Sequence, residues 1–304
     1  MSLDEIGIDT GTDKSSLLHD YLRHYEAAFS RFREQDINVL EIGISRGFST
    51  SMWPRYFKRA RIIAIDIAEH CRQYASDRVV VEIGSQDDPA LLTRVARQYP
   101  LSIVIDDGSH IANHIEKSFE VLFPLLLPGG VYVIEDLFVH VGESAEKNRG
   151  GARVPLVDYL SDICQRIMVG RNPGGKFGHA IYDWVDSIQF VQRAAIICKR
   201  SQLPDPVSRI NRAKEIYSEA NDAFKWDRLS ELLLVGGQFL DEAEAASRRA
   251  IARAPNLAAY HHRLSEALRR QGKRAEAILA AQRALDLAQA SPKKAEYEGY
   301  LAKL

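Results

Sequence analysis

Residues 37–66 read INVLEIGISRGFSTSMWPRYFKRARIIAID. An apolar run, INVLEI (37–42), is followed by a glycine-bearing loop, a helical stretch and a second run, RIIAID (61–66). The alternation continues through RVVVEI (78–83), LSIVID (101–106) and GVYVIE (130–135). Short runs that are apolar throughout, separated by helical segments, suit parallel strands covered on both faces. Two later runs, SIQFVQR (187–193) and AAIICKR (194–200), abut at a tight turn and predict an antiparallel pair. The expected fold is α/β: a mostly parallel, seven-stranded sheet with an antiparallel edge hairpin.

The rest of the chain sets the boundaries of this reading. Its 304 residues suggest two domains. With 40 Lys and Arg against 41 Asp and Glu, the bulk charge gives no argument for nucleic acid. No stretch of about 18 apolar residues is present, so no membrane span is expected. The start, MSLDEIGIDTGTDKSS, lacks the basic region and apolar run of a signal peptide. Cys71, Cys164 and Cys198 are widely spaced with no C-x-x-C, and read as buried hydrophobes in a reducing cytoplasm. SQLPDPVS (201–208) reads as a linker between a domain at 1–200 and a helical one at 201–304. The second part is rich in Ala, Leu, Arg and Glu. A 34-residue offset pairs Leu234 with Leu268, Ala243 with Ala277 and Ala250 with Ala284. Gly272 falls at a helix–helix turn, with Gly237 one place off register. This set resembles tetratricopeptide repeats; an unrelated Ala-rich bundle is the other reading. Two repeats are few for independent stability. They are expected to pack on the first domain, on a second copy of the chain or on another protein.

The loop after the first run, Glu41-Ile-Gly-Ile-Ser-Arg-Gly47, departs from the dinucleotide fingerprint G-x-G-x-x-G. Gly43 permits a tight turn and close ligand approach, while Ser45, Gly47, Ser49 and Thr50 lead into a helix start. An acid ahead of the glycines would repel a pyrophosphate and suits a cationic ligand. S-adenosylmethionine carries an amino group and a sulfonium. Asp66, with Ile67 after it, ends the second run where a carboxylate can hold a ribose diol. Ser85 and Gln86 follow the third run, where an adenine edge would lie. Ser85 or Asp87 could equally cap a helix. Asp107, Glu135 and Asp136 sit at the ends of the fourth and fifth runs. Three converging carboxylates need a cation, and oxygen ligands favour Mg2+.

EIGISRG, the Asp66 strand end and the late hairpin resemble Rossmann-like class I S-adenosylmethionine-dependent methyltransferases. GTDK (11–14), HDYLRHYEAAF (19–29), IDDGSH (105–110) with His114, and LLPGGVYVIEDL (126–137) narrow the resemblance to the metal-dependent sugar O-methyltransferases of macrolide biosynthesis. The similarity covers about residues 8–200 and excludes the helical C-terminal part. It implies metal binding at Asp107, Glu135 and Asp136, with a further acid at Glu26, and makes His110 the general base. A helix starting near Ser109 would put His114 on the same face as His110, either to orient it or to cap and pack. Asp107 also borders the implied cofactor site. Asp106 serves either structure or the cofactor. Lys14 reaches the methionine carboxylate, an acidic neighbour or solvent. Trp53, Tyr56 and Phe57 read as core. Residues 138–180, with Arg149, Arg153, Arg171 and Asn172-Pro-Gly-Gly, form an acceptor lid or a disordered stretch. The implied reaction is Mg2+-assisted methylation of a hydroxyl on a small glycosylated acceptor. A catechol-like phenol acceptor and a non-catalytic scaffold that senses S-adenosylmethionine are the rivals.

Overall fold

The computed structural model describes residues 1–169, 180–202, 206–217, 221–237 and 239–304. The chain divides into two units, Met1–Leu203 and Pro204–Leu304. The first contains one seven-stranded sheet: β1 (Asn38–Ile42), β2 (Arg61–Asp66), β3 (Val79–Ile83), β4 (Leu101–Asp106), β5 (Val131–Ile134), β6 (Val185–Val191) and β7 (Ala194–Lys199). The order is β3-β2-β1-β4-β5-β7-β6. The first five strands are parallel, and β7 runs antiparallel to both β5 and β6. The anticipated hairpin therefore inserts its second strand beside β5, leaving β6 at the edge.

Seven α-helices of this unit are described: α1 (Leu3–Thr10), α2 (Leu22–Phe29), α3 (Phe48–Tyr56), α4 (Pro89–Gln98), α5 (Ala112–Leu125), α6 (Ser144–Lys147) and α7 (Leu156–Val169). Successive strand residues face opposite sides, so each central strand feeds two cores. Leu40, Ile42, Val104, Tyr132 and Ile134 pack against Leu92, Phe119, Phe123 and Leu160, from α4, α5 and α7. Val39, Ile103, Ile105, Val131 and Val133 pack against Leu3, Tyr25, Phe29, Trp53 and Phe57, from α1, α2, α3 and the end of α3. Asp88 caps α4 by accepting from Ala90 N at 2.9 Å and Leu91 N at 3.3 Å, so neither Ser85 nor Asp87 is that cap. The chain turns out of β1 at Gly43, with φ +93°. A Cβ there would sit 2.0 Å from the Asp107 carbonyl oxygen, so only glycine lets the β1 and β4 loops touch.

The second unit is helical: α8 (Pro206–Tyr217), α9 (Ala223–Gly236), α10 (Leu240–Arg253), α11 (Ala258–Arg270), α12 (Arg274–Leu287) and α13 (Lys294–Leu301). Two helix pairs repeat one contact. Ser230 Oγ donates to Ala243 O at 2.8 Å, and Ser265 Oγ donates to Ala277 O at 2.7 Å. Left-handed Gly237 and Gly272 end the leading helices of the two pairs. The leading helices are thus offset by 35 residues (230 to 265) and the trailing ones by 34 (243 to 277). Leu233, rather than Leu234, corresponds to Leu268. Among the described residues no helix is long and apolar enough to cross a membrane. All three cysteines are unpaired; Cys71 is buried, while Cys164 and Cys198 are half-buried.

Candidate active site

The two-residue period of the strands sorts the acids. Glu41 lies two residues after Val39, Asp107 two after Ile105 and Glu135 two after Val133, on the face packed by α1–α3. Glu41 is wholly buried beneath α3, where Thr50 Oγ1 at 2.5 Å and Trp53 Nε1 at 2.9 Å donate to it. Burial pushes its carboxyl up, against Lys14 and donors on α3. It lines neither pocket described below, so the expectation that it faces a bound ligand gives way to an anchoring position under the helix.

Lys14 meets the other two acids. It lies between α1 and α2, only 1% exposed, and its Nζ bonds both Asp107 Oδ2 and Glu135 Oε2, the latter at 2.7 Å. Of the three destinations read from the sequence, the structure selects the acidic neighbours. Burial lowers the Lys14 pKa, but Asp107 and Glu135 outweigh it and hold the ammonium well above the usual lysine range. Burial raises Glu135, against the pull of Lys14, and Asp107 raises it further. Glu135 Oε1 has no hydrogen-bond partner within ordinary reach, and the buried Tyr25 hydroxyl is a polar group beside it.

Asp106 points to the opposite face. It accepts from Ser118 Oγ at 2.5 Å, Tyr132 Oη at 3.0 Å and Gln86 Nε2 at 3.0 Å, which fixes it as a structural acid.

Asp107, His110 and Asp136 converge at the ends of β4 and β5. One ligand atom from each lies within 4.8 Å of the others, and all three side chains are half-buried. His110 Nε2 is 3.8 Å from Asp107 Oδ1 and 3.6 Å from Asp136 Oδ2. Tyr21 Oη, from the start of α2, donates to Asp136 Oδ1 at 2.6 Å. His110 and Asp136 both have left-handed backbone, at φ +53° and +54°, as does Ser45 at +50°. Such conformations cost about 1–3 kcal/mol each and gather at functional sites. Glu26 is outside this group. Its carboxylate accepts from Leu3 N and from Tyr56 Oη at 2.9 Å, tying α2 to α1 and α3. The helix also begins later than the sequence suggested. Because α5 starts at Ala112, His110 precedes it and shares no helical face with His114. His114 instead contacts Ser109 Oγ at 3.0 Å and Asp87 Oδ2 at 3.6 Å.

Sequence reasoning missed His140. It lies just after Asp136, is 2% exposed, and neither ring nitrogen has a partner. Burial, and then the nearby His110, lower its pKa to about 4. Unfolded histidine titrates near about 6.5. Neutral His140 therefore contributes stability above that pH, which is lost as pH falls from about 6.5 to 4. The unfolding midpoint of wild type is expected to fall more steeply across this window than that of His140→Leu. Equal slopes would remove His140 from the acid sensitivity.

Two pockets open beside the acids, and Gly43 lines both. One, about 310 Å³, is walled by Ile42, Ile65, Ile67 and Ile111, with Asp66, Ser85, Gln86 and His114 at its polar points. The other, about 370 Å³, is lined by Thr12, Asp13, Ser45, Arg46, Ser49 and Asp107 among others. Both reach the size range of small-molecule sites. Gly47 caps α3 in the left-handed region, and a Cβ there would meet the Tyr74 ring at 2.4 Å.

The polar groups of the apolar pocket are partly occupied by the protein itself. Asp66 Oδ2 accepts from Ile44 N at 2.8 Å and Ser45 N at 3.1 Å; Oδ1 accepts from Ala68 N at 2.8 Å. Burial raises this carboxyl, but those donors outweigh it and hold the pKa below the usual range. The Cys71 thiol is a further donor to it, so the protein largely takes up the carboxylate's acceptor positions, about four in number. Gln86 is similarly engaged, donating to Asp106 and accepting from Ser109 N at 2.6 Å. Ser85 Oγ donates to Asp87 Oδ1 at 2.6 Å. In the loop before α7, Arg149 is held by the carbonyls of Ala152 and Arg153, both at 2.9 Å. Arg171 and Asn172-Pro-Gly-Gly lie outside the described residues.

Comparison with known proteins finds relatives for the sheet-bearing part of the chain. A family model described as a methyltransferase domain matches residues 40–137. The demethylmacrocin O-methyltransferase of Streptomyces fradiae is 37% identical over 188 residues, covering 56% of this chain and 47% of the relative. The mycinamicin VI 2''-O-methyltransferase of Micromonospora griseorubida is 35% identical over 191 residues, covering 58% and 47%. The chain spans about half the length of the curated relatives it matches. The MycE methyltransferase of the mycinamycin pathway, solved with Mg and SAH, superposes with a TM-score of 0.59 at 30% identity, covering 66% of this chain and 54% of that one. Residues 40–137 thus match a methyltransferase domain, on a chain that shares the Rossmann-like fold of MycE and is similar to the macrocin and mycinamicin O-methyltransferases.

Proposed function

We propose that the protein is an S-adenosylmethionine-dependent, Mg2+-assisted O-methyltransferase that methylates a sugar hydroxyl on a small glycosylated acceptor. The observation that carries this reading is the convergence of Asp107, His110 and Asp136 beside the two pockets that share Gly43. The apolar pocket suits an adenosine, with the isoleucines against the base and the Asp66 carboxylate in its wall towards a ribose hydroxyl. The polar pocket suits the methionine tail, bordered by Gly43, Ser45, Ser49 and Asp107. S-adenosylmethionine supplies an activated methyl group, so the protein must align a nucleophile and take its proton.

Charge supports a divalent cation. Asp107, Glu135 and Asp136 bring three negative charges and Lys14 one positive, which leaves two. Lys14 bonds both Asp107 and Glu135, but Asp107 also converges with His110 and Asp136, so Asp107 and Asp136 are the acids we assign to Mg2+. When bound, the cation would lower the pKa of an acceptor hydroxyl. His110 faces both acids and has a nitrogen to receive that proton as the hydroxyl oxygen takes the methyl group. Tyr21 holds Asp136 in orientation. We read the helical unit as a tetratricopeptide-like module, on the strength of its repeated Ser-to-carbonyl contact.

Thermal unfolding of the purified chain tests the cofactor and the metal separately. S-adenosylhomocysteine should raise the midpoint, Mg2+ should raise it further, and EDTA should cancel the second step. A ligand at 100 times its Kd adds about 2.7 kcal/mol of stability. No shift with the nucleoside would remove the cofactor reading. A nucleoside shift without a metal effect would remove Mg2+ from the binary complex.

A further inference from the structure

The site contains a cation of its own, and its position restricts where a second can bind. We propose that Lys14 is a tethered counter-cation that keeps Glu135 from acting as a metal ligand and confines the divalent ion to the Asp107–Asp136 side, next to His110. This rests on the reading above that the site takes Mg2+. Lys14 is a positioning residue here: it acts through the acids and has no contact with the reacting atoms.

Three observations carry the proposal. First, one buried ammonium bonds two of the three acids, Asp107 and Glu135, while Asp136 takes its hydrogen bond from Tyr21. Second, Glu135 is 1% exposed, with Lys14 on one oxygen and the buried Tyr25 hydroxyl beside the other, so losing Lys14 would leave a buried carboxylate in need of a cation. Third, the backbone of residue 14 is fixed independently of its charge. Lys14 O accepts from Tyr21 N at 2.9 Å and Leu22 N at 3.2 Å, closing the turn that leads into α2. Replacing the side chain removes the charge and leaves that turn bonded. Glu41 lies near the same ammonium, but Thr50 and Trp53 occupy its oxygens.

The test is Mn2+ binding, followed by electron paramagnetic resonance in saturating S-adenosylhomocysteine. Lys14→Met should bind Mn2+ at least about tenfold more tightly than wild type, because the cluster gains a net negative charge and Glu135 is released as a ligand. Turnover should fall in the same variant, since the ion is drawn away from His110. A merely structural lysine would weaken both. Glu135→Gln should bind Mn2+ about tenfold more weakly than wild type. Adding Lys14→Met to Glu135→Gln should restore wild-type affinity. That last comparison stands even where Lys14→Met alone does not fold. Equal or weaker binding on losing Lys14, in either background, overturns the proposal. Wild type that binds no Mn2+ overturns the metal reading itself, and this proposal with it.

Discussion

Replacing His110 with asparagine is expected to slow methyl transfer by about a hundredfold to ten-thousandfold, the range for loss of a general base. The choice of asparagine follows from the backbone. His110 sits at φ +53°, where alanine would add strain and asparagine is tolerated. The loop should therefore keep its shape, and Ser109 N should remain on Gln86 Oε1. S-adenosylhomocysteine should still raise the unfolding midpoint, because His110 lines neither pocket. Loss of turnover with retained nucleoside binding separates proton removal from cofactor binding. Turnover within about threefold of wild type would remove His110 from the chemistry, since even weak general bases contribute more than that.

The strands were legible because their signal is local. Five apolar runs of similar length, spaced by helical segments, can be satisfied by a parallel sheet, and β2 and β4 occupy the very residues read from the sequence. The site was legible as a set of strand ends, since ligands of open α/β sheets gather there. Which strand-end groups stay free was not. Glu41 shares a face with Val39 and goes under α3, a consequence of the two-residue period that only the position of Trp53 makes visible. Asp66 spends its hydrogen bonds on neighbouring loops, and Gln86 spends its own on Asp106 of β4 and the loop at Ser109. Those loops are fixed by tertiary contacts across the sheet, which leave no trace in local spacing.

Lys14 shows the same limit from the other side. It is 93 residues from Asp107 and 121 from Glu135, so no pattern in the sequence pairs them. Three converging acids call for positive charge, and the chain supplies one such charge itself. Glu26 was read toward the cluster by resemblance, whereas its position on α2 turns it to Tyr56 and Leu3. His140 carried no motif at all. Its interest lies in being buried with both nitrogens unpartnered, which depends on packing alone.

Asp136→Asn should abolish the Mg2+-dependent part of the thermal shift and lower turnover at least about a hundredfold. Metal contributions of several kcal/mol set that scale. Of the acids at the site, this one can be neutralised most cleanly. Asp107→Asn would take a partner from Lys14 and leave the ammonium leaning on Glu135, so two effects would be mixed. Asp136 has no contact with Lys14. Its φ of +54° is a conformation that asparagine also adopts. An amide oxygen in place of Oδ1 can still accept from the Tyr21 hydroxyl, now 2.6 Å away, so α2 should stay docked. What changes is one negative charge between His110 and the proposed metal position. If that charge holds the ion, the nucleoside shift survives while the Mg2+ increment disappears. If the increment survives at full size, the ion is held elsewhere, and the assignment of Asp136 as a ligand fails even if turnover falls.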